Sequence, residues 1–265
     1  MNIELREKDD ERIVFLVEDV NIPFINAIRR ICLVEIPKLA IETVNIYKND
    51  AKMFDEVLAH RLGLLPIKTD LDLFTMPSEC DCEDHCSNCS VSFLLKEKGP
   101  KIVYSKDIKS NDPSIKPVYD TIPLVELHEN EEIELEAIAE LGLGSEHAKW
   151  QAATTCSYKF YPKITIDNQA CYNCGVCIDQ CPRKILQFDD EKQVTITDIE
   201  KCSLCKTCER KCSGNAITID YEESKYIFTL ESDGSLDPVT ILKKACDILA
   251  EKSDNVINFV MNEEE

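Results

Sequence analysis

The chain has 265 residues, enough for one large domain or for two to three small ones. It carries 30 basic and 50 acidic side chains, and the resulting net charge of −20 disfavours direct contact with the phosphate backbone of a nucleic acid. No run of about 18 apolar residues and no charged-then-apolar leader occurs, so we expect a soluble, cytoplasmic protein without membrane contact. Twelve of the fifteen cysteines lie in three tight clusters, which indicates metal ligation in a reducing compartment rather than a disulfide scaffold.

Apolar periodicity predicts an α+β fold. Asn21 caps a first helix that Pro37 ends, and Asp237 caps a last helix. A polar stretch, Ser105–Pro123, predicts a surface loop. The predicted strands are Ile3–Arg6, Ile13–Val17, Leu39–Tyr47, Val91–Leu95, Lys101–Tyr104, Leu124–Leu127, Ile133–Leu141, Ala152–Tyr161 and Tyr226–Leu230. The predicted helices are Ile22–Glu35, Phe54–Leu62 with Gly63 at its C′ position, and Pro238–Lys252.

The first helix has two faces of different composition. A core-facing side is predicted at Phe24, Ile25, Ile28, Ile31 and Cys32. Another side carries Asn26, Arg29 and Arg30. Arginine side chains suit bidentate recognition of carboxylates at an interface, although a solvated basic face also fits this pattern.

Four cysteines, Cys80, Cys82, Cys86 and Cys89, fall within ten residues. Four thiolates at this spacing can surround one tetrahedral ion, and zinc is the usual ion for a sulfur-only structural site. Unligated thiols and a pair of disulfides are the alternatives. His85 could replace one cysteine, but four sulfurs already complete the coordination sphere.

The remaining clusters form a repeated motif. Cys171, Cys174, Cys177 and Cys181 with Pro182 form C-x2-C-x2-C-x3-C-P, and Cys202, Cys205, Cys208 and Cys212 repeat the spacing 31 residues later. In such repeats each 4Fe–4S cluster takes three cysteines of one run and the last of the other, because one short loop cannot surround a cluster. The predicted ligands are Cys171, Cys174, Cys177 and Cys212 for one cluster, and Cys202, Cys205, Cys208 and Cys181 for the second.

Two features of the cysteines qualify this prediction. Eight structural or zinc-binding cysteines are the alternative to iron–sulfur clusters. The second run has Ser213 where the first has Pro182, which puts equal stability of the two clusters in doubt. The three other cysteines, Cys32, Cys156 and Cys246, lie in apolar patterns and are predicted to be small core residues.

Three motifs resemble the RNA polymerase alpha-like family, which comprises bacterial alpha and its archaeal and eukaryotic counterparts. They are NAIRR at Asn26–Arg30, EVLAHRLGLLPI at Glu56–Ile67 and GLGSEHAKW at Gly142–Trp150. With the two repeated runs, the chain resembles the archaeal members that carry a ferredoxin-like insert. The loop at Cys80–Cys89 resembles the zinc loop of the eukaryotic polymerase II member, which supports zinc there.

The resemblance implies an alpha-like dimerisation domain interrupted by two insertions. We expect the dimerisation domain at 1–47 plus 223–265, a mostly β insert domain with the zinc loop at 48–162, and a ferredoxin-like domain with two 4Fe–4S clusters at 163–222. The first and last helices would pair with the smaller alpha-like subunit, subunit L. Expected interface residues are Asn26, Arg29, Arg30, His60 and Arg61. His60 and Arg61 could equally be a satisfied polar pair at a helix end.

The expected function is a non-catalytic assembly platform of DNA-directed RNA polymerase, a nucleotidyltransferase. Besides subunit L, the platform would dock the large catalytic subunits and small zinc-binding subunits, without direct nucleic-acid contact, and the clusters would stabilise the fold or the assembly. The alternative is a ferredoxin-type electron-transfer protein or an oxidoreductase subunit, which uses only residues 163–222. No flavin or nicotinamide fingerprint and no acid–base constellation point to catalysis by this chain itself.

Overall fold

The computed structural model of the chain describes residues 1–83 and 85–262. In these residues the fold is α+β, as the periodicity predicts, with more residues in strands than in helices. The helices are α1 (Ile22–Val34), α2 (Asp55–Gly63), α3 (Val176–Asp179), α4 (Thr207–Lys211) and α5 (Pro238–Asn262). The strands are β1 (Asn2–Lys8), β2 (Arg12–Glu18), β3 (Lys38–Asn49), β4 (Ser90–Lys98), β5 (Lys101–Tyr104), β6 (Lys109–Ser110), β7 (Pro123–Leu127), β8 (Glu132–Gly142), β9 (Ala153–Ile166), β10 (Leu186–Phe188), β11 (Val194–Ile196) and β12 (Ile217–Ser232).

The described strands form two four-stranded and two two-stranded sheets. Their orders are β1-β2-β12-β9, β3-β8-β4-β6, β10-β11 and β5-β7. β8 is a central strand, because β3 pairs with one edge of it and β4 with the other, both antiparallel. Its residues alternate between buried apolar positions and half-buried positions, which are acidic except for Ile138. This alternation is typical of an antiparallel sheet with one face on a core and one face towards water.

The chain divides into two compact units. Unit 1 comprises Met1–Arg6, Val14–Ile25 and Ser157–Phe228. Unit 2 comprises the described residues of Glu7–Ile13, Asn26–Cys156 and Thr229–Glu265. The three-domain boundaries expected from the sequence stay a prediction.

Unit 2 contains the larger apolar core. β8 contributes Leu135 and β4 contributes Phe93, and the buried residues of α2 pack into the same cluster. In unit 1 a smaller cluster forms around the cysteine repeat. Its fully buried members are Cys177, Ile185, Leu186, Val194, Cys202, Ile217 and Ile219.

α1 confirms the predicted cap and most of the predicted core side. The N–H of Phe24 donates to Asn21 Oδ1 at 3.0 Å. Four predicted core residues are buried, namely Ile25, Ile28, Ile31 and Cys32. Phe24 is 37% exposed, so the prediction that it faces the core was wrong. The physical reason is its place in the first turn, Ile22–Phe24, all of which is exposed.

Two helix ends differ from the prediction. Gly63 is the last helical residue of α2 and not a left-handed C′ residue; the N–H of Leu64 donates to the carbonyl of His60 at 3.2 Å and continues the helical pattern. α5 continues ten residues beyond the predicted end at Lys252, to Asn262. Nothing in the segment that follows Lys252 breaks a helix, since it holds neither proline nor glycine.

Two further predictions were wrong in part. Cys32 and Cys156 are buried as predicted, but Cys246 is exposed, because α5 buries Ile241 and Ala245 and the next residue points about 100° away around the helix. The stretch Ser105–Pro123 is not simply a surface loop. It contains a short 3₁₀ turn, β6, and the buried side chains of Ile108 and Ile115.

Candidate metal centres and subunit interface

The four cysteines of the loop before β4 converge on one point. Their Sγ atoms all lie within 4.8 Å of one another. The Cys80–Cys86 and Cys82–Cys89 Sγ distances are both 3.6 Å, and Cys86–Cys89 is 3.7 Å. A tetrahedral ion with Zn–S bonds of about 2.3 Å places its sulfurs about 3.8 Å apart. A disulfide needs about 2.05 Å, so the distances match the corners of a metal site and exclude disulfides among these thiols in this structure.

Backbone hydrogen bonds hold this loop in place. The N–H of Cys80 donates to the carbonyl of Pro77 at 3.3 Å, at the end of the 3₁₀ turn Pro77–Glu79. At the other end the N–H groups of Cys89 and Ser90 donate to the carbonyl of Cys86 at 3.1 and 2.9 Å. β4 begins at Ser90, so a strand anchors the last predicted ligand.

The thiols of this loop differ in acidity. A hydrogen bond from the backbone of Asn88 lowers the pKa of Cys86 to about 7, whereas the neighbouring thiol of Cys80 raises the pKa of Cys82 to about 12. Burial raises the pKa of Cys89. The thiolate is the form that binds a metal ion. His85 contacts a carboxylate: its Nδ1 lies 3.7 Å from a carboxylate oxygen of Glu140.

The eight cysteines of the repeat line two separate cavities in unit 1. Site I is lined by Cys171, Cys174, Cys177 and Cys212. Site II is lined by Cys181, Cys202, Cys205 and Cys208. Each cavity thus receives three cysteines of one run and the last cysteine of the other, which is the grouping expected from the spacing. The assignment of iron–sulfur clusters to these sites stays a prediction.

The backbone around both sites repeats with the same 31-residue interval as the cysteines. Six residues have positive φ angles and form three pairs at this interval: Asn173 with Leu204, Gly175 with Lys206, and Lys184 with Asn215. Left-handed backbone is sterically costly for residues with a Cβ, so it is rare unless the surrounding structure imposes it. The two runs therefore adopt one conformation twice.

The surroundings of the sites suit a sulfur-ligated cluster. Apolar residues line each cavity, with Val194 and Ile217 at site I and Ile185 and Ile219 at site II. One backbone N–H reaches a sulfur at each site, from Ala216 to Cys212 Sγ at 3.3 Å and from Leu204 to Cys202 Sγ at 3.5 Å. Such bonds to ligand sulfurs are typical of iron–sulfur proteins. A donor set of sulfur alone in an apolar cavity therefore fits the 4Fe–4S cluster that the motif implies.

The acidity of three of these thiols is perturbed. Burial raises the pKa of Cys177 at site I and of Cys208 at site II, two residues that the repeat relates. A hydrogen bond with the side chain of Thr207 lowers the pKa of Cys205. Cys205 and its counterpart Cys174 are exposed, so each site has one cysteine at the surface.

The predicted interface residues lie on two helices. On α1, Arg30 is exposed, and half-buried Arg29 donates from Nε to Asn26 Oδ1 at 3.1 Å. On α2, His60 and Arg61 are both exposed and line one shallow cavity. The assignment of His60 and Arg61 to an interface stays a prediction. Both side chains are available to a partner.

The interface residues predicted from the sequence omit two exposed apolar surfaces. The last turns of α5 carry Val256, Ile257, Phe259, Val260 and Met261, each between 53% and 64% exposed. Around α2, Phe54, Val57 and Leu64 are 76%, 50% and 52% exposed. Contiguous exposed apolar residues mark interaction sites. The apolar run VINFVM after Asn255 could have indicated the first surface. A sequence alone, however, does not show which apolar residues stay exposed after folding.

In the described part of the chain, no helix combines the length and the apolar character needed to cross a membrane.

Comparison with known proteins places the chain in a family. The RNA polymerase Rpb3/RpoA insert domain family matches residues 41–173. DNA-directed RNA polymerase subunit Rpo3 of Methanosphaera stadtmanae is 67% identical, with 100% of both chains covered, and that of Methanothermobacter thermautotrophicus is 55% identical over 98% of both. The DNA-directed RNA polymerase II subunit rpb3 of Dictyostelium discoideum is 32% identical, covering 96% of this chain and 93% of its own. The predicted resemblance is thereby confirmed, and the chain belongs to the Rpo3 family of archaeal DNA-directed RNA polymerase subunits, within the alpha-like family.

Proposed function

We propose that this chain is a non-catalytic assembly platform of DNA-directed RNA polymerase. It pairs with the smaller alpha-like subunit, subunit L, and then docks the large catalytic subunits and the small zinc-binding subunits in the cytoplasm. Nucleotidyl transfer belongs to the polymerase as a whole and to the catalytic subunits within it. The observation that carries the proposal is the exposed apolar end of α5.

α5 has two parts with different surroundings. Its first turns bury Ile241 and Ala245 in unit 2, and Lys252 Nζ lies 2.5 Å from Glu35 Oε2 just after α1. Beyond Lys252 every residue whose side chain is described is exposed, although five of them are apolar. At about 100° per residue the five apolar side chains cover one side of the helix, and Asn258 lies on the opposite side. An apolar face of this kind is what a second helix of an alpha-like partner would bury.

α2 supports a second docking surface. Phe54, Val57, Arg61 and Leu64 follow the spacing of one helix side, and all four are exposed. An arginine beside apolar side chains is typical of the central part of protein interfaces. We assign this surface to a large catalytic subunit, because Val57, Arg61 and Leu64 lie in the motif Glu56–Ile67, which resembles the alpha-like family.

The metal sites support the platform through stability. We assign zinc to Cys80, Cys82, Cys86 and Cys89, and 4Fe–4S clusters to sites I and II. A bound 4Fe–4S cluster supplies one-electron redox chemistry and four iron–thiolate bonds that tie two chain segments together. The protein contributes the eight thiols, the apolar cavities and the backbone N–H groups that reach the sulfurs. Because ligation contributes folding energy, the clusters hold a small region together that has a limited core of its own.

The net charge of −20 favours protein partners over nucleic acid. Full-length similarity to polymerase subunits also favours the platform over a ferredoxin-type electron carrier, because an electron carrier accounts for the cysteine repeat alone.

Co-expression with subunit L tests the proposal. We expect the wild-type chain to purify as a one-to-one complex, measured by size-exclusion chromatography with light scattering. The double variant Phe259→Glu and Val260→Glu places two charges in the apolar face of α5 and should weaken the complex about tenfold or more. Asn258→Glu introduces one of these charges on the opposite side and is the matched control. A wild-type chain that stays alone, or a double variant that binds as well as Asn258→Glu, contradicts the proposal.

A further inference from the structure

Sites I and II share a backbone but differ in charge. The cavity of site II is lined by two cations, Arg183 and Lys206. The repeat relates Arg183 to Gly214 and Lys206 to Gly175, and both glycines line the cavity of site I. No charged residue lines site I among the described residues. Both of these cations thus have a glycine in their place at site I.

Lys206 occupies a position where the backbone favours glycine. Its φ is 57°, and the φ of its counterpart Gly175 is 74°. Glycine adopts this left-handed conformation without steric cost, whereas lysine does not. The backbone therefore gives no reason for lysine at this position, and its charge beside site II is the property that distinguishes it from Gly175.

A third cation reaches site II from β9. Lys159 Nζ donates to the backbone carbonyl of Cys202, a site II cysteine, at 3.2 Å and to the carbonyl of Glu200. The side chain is half-buried, and burial lowers its pKa. Among the described residues no carboxylate forms an ion pair with this ammonium group, and the Glu200 carboxylate is bound by Arg6 at 2.9 Å.

The acidic residues around site II do not cancel these cations. The Glu209 carboxylate lies beside site II, since it accepts the N–H of Ile219, a residue that lines the cavity, at 3.4 Å. Asp198 pairs with Lys201 at 3.0 Å. Among the described residues, these three cations face one carboxylate without an ion pair, Glu209, which leaves a positive surplus that an anionic centre at site II would balance. A 4Fe–4S cluster with four thiolates is such an anion.

Several other determinants of potential are similar at the two sites. Each has one N–H bond to a sulfur, one exposed cysteine and an apolar lining. Net charge, hydrogen bonds to sulfur and solvent exposure set the potential of a given cluster type. Charge differs most between site I and site II. Site II also has the hydrogen bond between the Thr207 side chain and Cys205, and the repeat places Val176 at the matching position of site I; this bond favours added negative charge at site II in the same direction as the cations.

We propose that the cluster at site II is reduced at a higher potential than the cluster at site I, because Lys159, Arg183 and Lys206 stabilise the added negative charge. The proposal rests on the proposed presence of both clusters. One electron from a low-potential donor such as dithionite then enters site II first, and a second electron enters site I at a lower potential.

The test is a potentiometric titration of the full-length chain, reconstituted with iron and sulfide under anaerobic conditions and followed by electron paramagnetic resonance. We expect two one-electron midpoints in the wild type. Lys159→Met should lower only the higher midpoint, by about a tenfold change in the reduction equilibrium, which is 59 mV for a one-electron couple. Lys163→Met removes the same charge from an exposed position on the same strand and should leave both midpoints in place.

The iron count separates the possible failures. If Lys159→Met holds fewer irons than the wild type, Arg183→Gln provides the same measurement without altering β9. A wild-type chain that takes up no iron refutes the proposed cofactor. A chain with both clusters whose two midpoints coincide, or whose higher midpoint is unmoved in the variant that retains full iron, refutes this inference and leaves the assembly function standing.

Discussion

At the scale of single residues, the spacing of cysteines in the sequence agrees with their positions in the structure. Cys80, Cys82, Cys86 and Cys89 could be proposed as ligands from the sequence because sulfur-only sites have a narrow range of spacings. Their convergence within 4.8 Å agrees with that prediction. Lys159 could not be found in this way. It lies more than forty residues from the Cys202 carbonyl that it contacts, and no local pattern reports such a contact.

Removal of one cysteine tests the zinc site. We expect Cys86→Ser to lose stoichiometric zinc, because serine supplies no thiolate and three sulfurs leave the tetrahedral site open. The measurement is the zinc content of the anaerobically purified chain by mass spectrometry of metals. Cys246→Ser makes the same chemical change at an exposed cysteine on α5 and should retain zinc. Equal zinc in both variants would show that the loop does not bind the metal.

A buried ion pair in unit 2 gives a prediction about stability. Lys38 is 4% exposed, and its Nζ lies 2.5 Å from Asp233 Oδ2. Asp233→Ala leaves that ammonium group buried without its partner, so we expect the free energy of unfolding to fall by about 3 kcal/mol. Glu134→Ala breaks an exposed pair with Lys96 and should cost less than about 1 kcal/mol. Denaturant unfolding of both variants checks the contrast, and equal losses would contradict it.

At the scale of elements, local patterns predict what local forces determine. The hairpin of β1 and β2, the capped start of α1 and the alternation of β8 follow from turn chemistry, capping and sheet burial. The errors lie where the surroundings decide. Phe24 is apolar but belongs to an exposed first turn, and Cys246 lies just outside the buried side of α5. β12 runs from Ile217 to Ser232, whereas the predicted strand covers only Tyr226–Leu230.

The exposed surface of α2 predicts a separable docking defect. Val57→Glu and Leu64→Glu place charges in that surface, so we expect pull-down of the large catalytic subunits to fall about tenfold or more while the complex with subunit L persists. Glu56→Gln changes an exposed polar residue of the same helix and is the control. Loss of the subunit L complex in the double variant, or normal recovery of the large subunits, would assign α2 a different role.

At the scale of the whole molecule, the cysteine repeat links metal supply to assembly. Cys174→Ser and Cys205→Ser together remove one exposed ligand from each site. We expect the variant to lose iron, to retain zinc and to recover less of the large subunits, because ligation contributes folding energy to the region around the repeat. Iron and zinc counts with subunit recovery measure the outcome. Undiminished assembly without any iron would refute the stabilising role of the clusters.

The exposed apolar end of α5 also bears on the lifetime of the unassembled chain in the cell. Its five large apolar side chains are exposed. The isolated chain is therefore prone to self-association and to degradation by proteases that recognise exposed apolar segments. We therefore expect its lifetime to depend on the supply of subunit L, so that surplus molecules are cleared and the two polypeptides accumulate in equal numbers whatever their rates of synthesis.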